Sequence, residues 1–186
     1  MTTSVARLTV RDISLIGIFT ALIAVMAQIS IPLPGSVPMT LQTLAIPLAG
    51  IVLGPKKGTL ATIVYLLLGA LGAPVFAGFN GGFGVFLSFT GGFLLSFPLM
   101  ALAAGYGAAA TEQTNNRLWL WLGLFIGAVI NFACGMFYFS WVAGSGLPAA
   151  FAATVAPFVL TALVKIVAAA LLGEKLRALF TQALVR

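Results

Sequence analysis

Apolar residues run along this chain in long blocks, broken by short turns that hold most of its polar side chains. At roughly 20 residues per spanning helix, the blocks predict six spans, near residues 13–30, 39–53, 59–71, 91–110, 118–143 and 156–172. The third is short, and its continuation breaks at Pro74 into a glycine-rich stretch. The two-residue alternation of barrel strands is absent, and backbone inside lipid must satisfy its own hydrogen bonds, so the blocks read as helices. The expectation is an all-α integral membrane protein: a six-transmembrane-helix bundle forming one domain over residues 1–186.

Composition narrows the class. Apolar residues make up 61% of the chain and charged ones 6%, against about 25% charged in a soluble domain. There is no histidine, one cysteine (Cys134) and three acids, Asp12, Glu112 and Glu174. That set removes histidine-based catalysis, intramolecular disulfides and ordinary zinc or calcium sites. No cofactor signature is visible, and an enzyme is not expected.

The nine basic residues fix an orientation. With six spans, Arg7, Arg11, Lys56, Lys57, Arg117, Lys175, Arg177 and Arg186 all fall on one side. The opposite loops, residues 31–38, 72–90 and 144–155, hold no Lys or Arg. By the positive-inside rule both termini are cytoplasmic. The net charge of +6 then suits an anionic lipid surface, and scattered short basic loops do not make a nucleic-acid patch. Val25-Met26-Ala27 resembles a small-residue cleavage site, yet removing the first span would unbalance this charge pattern, so the span is read as retained.

The ninth basic residue, Lys165, lies inside the sixth span. An ionised lysine near the bilayer centre costs about 2.5–3.5 kcal/mol on insertion scales, and no acid lies in any span to offset it. A helix starting near Pro157 puts Lys165 about 12 Å from its outer end, at the floor of an outward-facing cavity. An anionic ligand is the expected partner; a snorkelling side chain is the competing reading. Residues 72–92 carry seven glycines and five phenylalanines, which reads either as a lid over the bundle or as a tightly packed re-entrant loop. Within it, Asn80 offers both donor and acceptor. Gln42 reads as a buried amide near the outer end of the second span. Asn131 in the fifth reads as a hydrogen-bonding link between helices and is also carried as a binding candidate. Gly17, Ala21 and Ala24 form a smooth face on the first span, suited to close helix approach.

Other features have plainer readings. Gly54-Pro-Lys-Lys-Gly58-Thr lacks the spacing of a phosphate loop and reads as a tight turn. Ser88 and Ser96 have no histidine base to activate them, and Cys134 reads as a small packing residue.

The runs IPLPGSVPMTLQTL, LAGIVLGPKKGTLATIVYLLLGALGAPVFAGFNGG and FTGGFLLSFP, from about Asp12 to Pro98, together resemble the BioY family. These are the biotin-specific S components of energy-coupling factor transporters. The resemblance resumes at PFVLTALVKIVAAALL in the sixth span. It implies six membrane helices, capture of biotin from outside, and association with a membrane coupling subunit and two ATPases, with Gly17 and Ala21 docking the coupling subunit. It places Lys165 as the charged contact, Asn80 and Gln42 on polar edges of the vitamin, and Phe79, Phe83 and Phe93 as walls; Thr90 joins them as a binding candidate. The chain departs from the family pattern at Ala162, where an acid usually precedes the lysine, and at Phe93 and Phe132, where tyrosines are expected. Asn80, Gln42, Thr90 or Thr161 would then supply the missing polar contacts. An uncoupled or self-sufficient secondary transporter is the alternative, and an ion-coupled form would need acids within the spans.

Overall fold

The computed structural model describes residues 8–32 and 37–185. Arg7 and Arg186, used in the charge count, lie outside the described residues, as do Pro34 and Gly35. The first helix, α1 (Val10–Gln28), starts with a capping box: Asp12 N–H donates to Thr9 Oγ1 at 3.2 Å and Thr9 N–H to Asp12 Oδ2 at 3.1 Å. Two otherwise unpartnered amides are satisfied in this way. A pair of two-residue antiparallel strands follows, β1 (Ser30–Ile31) and β2 (Met39–Thr40). They bring the chain back beside α1, an addition to the all-α expectation.

The second and third predicted spans form one helical run, α2 (Gln42–Ala70), interrupted at Gly54, where φ is +81° and ψ 172°. This backbone favours glycine, and Pro55 then opens the next helix at the position where a missing N–H costs nothing. The chain reverses here. A Cβ on Gly58 would lie 2.6 Å from the Gly50 Cα, whereas eight residues of straight helix would separate them by about 12 Å. The two arms, residues 42–53 and 55–70, therefore lie side by side, and the GPKKG segment is the tip of a helical hairpin.

Three further helices complete the bundle: α3 (Gly91–Thr114), α4 (Leu118–Ala143) and α6 (Val159–Val185), the last preceded by the short α5 (Leu147–Thr154). α3 and α4 end on left-handed residues, Asn115 (φ 51°) and Gly144 (φ 61°), as helix C-termini often do. Helix α5 falls where the sequence reading had only a loop, and α6 outlasts the expected 156–172. Among the described residues, five segments are long and apolar enough to cross a membrane: α1, α2, α3, α4 and residues 147–180.

α3 sits between the hairpin and α4, with Ala101 backbone against Gly50 and Gly107 against Gly123. The core includes Ile23, Ile46, Tyr65, Phe76 and Phe97, and a second cluster gathers Ile51, Ala104, Leu120 and Leu124. Outside, the surface is apolar rather than charged: Val10, Trp141 and Leu160 are each more than 70% exposed. A continuous apolar exterior marks contact with lipid. Cys134 is exposed on this surface, not packed inside as its helical setting suggests.

Charges collect at one end. Lys57 at the hairpin tip pairs with Asp12 at 2.5 Å, and Arg117 with Glu174 at 3.3 Å. Arg177 on α6 holds Glu112 of α3 and also donates to the Ile51 carbonyl at the end of the first hairpin arm. These links tie the start of α1, the hairpin tip, the end of α3 and the start of α4 to the distal half of α6.

Candidate functional site

The larger of the cavities described lies away from that ionic end, where a smaller one of about 420 Å³ is lined by Glu112, Glu174 and Arg177. A cavity of about 830 Å³ opens between the hairpin, α3, α4, α6 and the loop of residues 72–90, within the usual size of a small-molecule site. Lys165 lies twelve residues before Arg177, about 18 Å back along α6, and it lines this cavity. Its ammonium donates to the Thr40 carbonyl at 2.7 Å and to Thr43 Oγ1 at 3.1 Å. The side chain thus reaches across to β2 and the start of α2 rather than outward to the lipid surface. Both partners are neutral oxygens, so its charge is solvated but not neutralised.

Gln42 is 4% exposed and stands in a polar chain. Its Oε1 accepts from Thr40 Oγ1 at 2.8 Å, its Nε2 donates to the Tyr65 hydroxyl, and that hydroxyl donates to the Val75 carbonyl at 3.2 Å. One amide therefore joins β2, both hairpin arms and the loop, which meets the rule that buried polar groups find partners.

The loop itself forms a cover. Two short stretches of 3₁₀ helix, Ala77–Phe79 and Phe83–Leu87, shape it, and Gln28 of α1 pins its first part. The Gln28 amide donates to the carbonyls of Val75 and Phe76, both at 3.2 Å, and accepts from Phe79 N–H at 2.9 Å. Phe76 and Phe86 point into the core and pack edge to face at 5.6 Å. Asn80 is exposed at the rim, where its Nδ2 donates to the Ala77 carbonyl at 2.8 Å. Thr90 shares a 3.0 Å hydroxyl contact with Ser88 at the start of α3, and both line the cavity.

Asn131 of α4 is 3% exposed. Its Nδ2 donates to the Phe93 carbonyl at 3.1 Å and to Ser96 Oγ at 2.8 Å, joining α4 to the first turn of α3. Phe93, Phe132 and Ala162 also line the cavity. Of the eight predicted binding residues, the fold thus gathers Lys165, Asn80, Gln42, Thr90, Phe93 and Asn131 around one space. Phe79 and Phe83 lie outside its lining, 71% and 66% exposed. Phe76 and Phe86 face inward in their place: Gln28 holds the segment from Val75 to Phe79, and the Tyr138 hydroxyl donates to the Phe86 carbonyl at 2.8 Å. Gly17 and Ala21 lie exposed on the outer side of α1, with open space around Gly17.

Two residues carry roles the sequence does not suggest, Thr43, which holds Lys165, and Gln28, which holds the loop; Ser96, considered there only as a nucleophile, holds Asn131. Hydroxyls in apolar helices are common enough to carry no signal of their own. Gln28, an amide directly before the turn that ends the first span, was the legible one.

An apolar-surfaced helical bundle enclosing a cavity with one cation and several amides defines a multi-pass membrane protein built to hold a small polar-headed ligand. The chain belongs to the BioY family, whose model matches residues 1–182. It is 44% identical over 163 residues to the biotin transporter BioY of Thermotoga maritima, covering 88% of this chain and 94% of that protein. It is 36% identical over 176 residues to a probable biotin transporter BioY of Pyrococcus horikoshii, covering 90% and 96%. A crystal structure of the S component for biotin from an ECF-type ABC transporter superposes with a TM-score of 0.84 at 25% identity, covering 96% of this chain and 95% of that one. The relatives are named as transporters, not enzymes.

Proposed function

We propose that this chain is the biotin-capturing membrane subunit of an ATP-driven uptake system. It takes the vitamin from outside the cell and passes it inward with an energy-coupling module. The observation that carries the reading is Lys165, a cation held by neutral oxygens in a largely apolar cavity, in a chain whose relatives are biotin transporters. Biotin offers the complementary set: one carboxylate, a fused bicycle with an apolar face, and a ureido head. Lys165 is the charged contact. Asn80, Gln42 and Thr90 meet polar edges, and Phe93 with Phe132 walls the ring system.

In this reading the hairpin arms are separate crossings, giving six, and the ionic end faces the cytoplasm with both termini. Its support is the excess of Lys and Arg on that side and the reversal at Gly54. The protein sits in the cell membrane of a prokaryote. Gly17 and Ala21, exposed on α1, offer the coupling subunit a flat surface for close helix contact, and two ATPases complete the module. The test is uptake of labelled biotin into vesicles. Accumulation is expected only when the coupling subunit and ATPases are reconstituted together with this chain and ATP. Accumulation by the chain alone would favour a self-sufficient transporter.

A further inference from the structure

Among the described residues the cavity lining holds no Asp or Glu, so a ligand N–H must find a neutral acceptor there. Asn131 is built for that task. Its two amide protons are both committed, one to the Phe93 carbonyl at 3.1 Å and one to Ser96 Oγ at 2.8 Å. Ser96 in turn donates its own proton to the Phe93 carbonyl at 2.8 Å. Flipping the amide would set Oδ1 against that carbonyl, acceptor to acceptor, so the orientation is fixed. Oδ1 makes no hydrogen bond among the described residues. It keeps a little accessible surface, and the residue lines the cavity. An amide held in this way presents to the cavity a carbonyl oxygen alone.

We infer that Asn131 is a specificity-determining acceptor: its Oδ1 receives a ureido N–H of the ligand, and Ser96 is the positioning residue that keeps the carbonyl turned inward. The inference rests on the biotin reading above and adds the direction of the hydrogen bond. Lys165 donates into the cavity from α6, while Asn131 accepts from the α3–α4 side. The site therefore distinguishes a ligand with a donor at its head from an isostere that lacks one. A buried acceptor left without its donor is penalised, and discrimination follows from that penalty.

The experiment pairs protein and ligand changes, measuring affinity by calorimetry for biotin and for its two ureido N-methyl derivatives. Against the unmodified chain, one derivative should bind roughly tenfold or more weakly than biotin, the size expected for one lost buried hydrogen bond. Asn131→Val should weaken biotin by a similar factor and bind that derivative no worse than biotin. Ser96→Ala, which leaves the amide in place and frees one of its protons, should shrink the same discrimination with a smaller loss of biotin affinity; it stands in should Asn131→Val fail to fold. Equal losses for biotin and both derivatives in Asn131→Val would assign Asn131 to packing and overturn the inference. Unchanged discrimination in Ser96→Ala would do the same. If the unmodified chain binds no biotin, the functional reading fails first and the inference falls with it. If biotin binds and only the discrimination is missing, the functional reading stands alone.

Discussion

Lys165 was legible because a charge inside an apolar block has few neutral explanations, and the structure turns it inward onto Thr40 and Thr43. Its role is tested by Lys165→Met. Removing one member of a buried ion pair typically costs ~3–5 kcal/mol, so biotin should bind at least about a hundredfold more weakly by calorimetry. Folding should be unharmed or improved, because the change also removes a desolvation cost. Unaltered affinity would take Lys165 out of the binding contacts. A second change probes the departure at Ala162, which lines the same cavity. Ala162→Asp places an acceptor one helical turn before the lysine and should tighten biotin binding; weaker binding would mean that no ligand N–H reaches that position. Phe79 and Phe83 show where residue-level reading stops. A loop rich in phenylalanine is expected to cover something apolar, but which rings face in depends on distant contacts, Gln28 with residues 75–79 and Tyr138 with Phe86.

At the scale of elements, the apolar blocks located the long helices because a membrane demands uninterrupted hydrogen-bonded backbone. The hairpin was legible as a turn in Gly54-Pro55, a helix stop followed directly by a helix start. Helix α5 was not, since eight residues with no charge pattern give no period to read. Nor were β1 and β2, whose pairing is set by the return of the chain to α1 and not by any alternation of their own. Gly54 carries the reversal, and its φ of +81° disfavours any side chain. Gly54→Ala should cost about 1–3 kcal/mol, lowering the melting temperature of the detergent-solubilised protein. Biotin affinity should change little, because Gly54 lies at the ionic end. An unchanged melting temperature would mean that the turn relaxes to another geometry.

For the molecule as a whole, the charge pattern and the ion pairs describe the same end. Asp12–Lys57, Glu112–Arg177 and Arg117–Glu174 knit together the segments that the sequence assigns to the cytoplasm. Single-cysteine labelling in a Cys134→Ala background should mark Gly146→Cys from outside and Asn115→Cys only after permeabilisation; the reverse pattern would invert the protein. On the exposed face of α1, Ala21→Trp should leave biotin binding intact and abolish co-purification with the coupling complex. Persistent co-purification would leave that face to lipid. Capture of biotin by this chain alone is tested by equilibrium binding of labelled biotin to the purified, monodisperse protein without ATPases or ATP. Saturable binding of one biotin per chain, released chemically unchanged, is expected; a folded protein without saturable binding would remove the capture role.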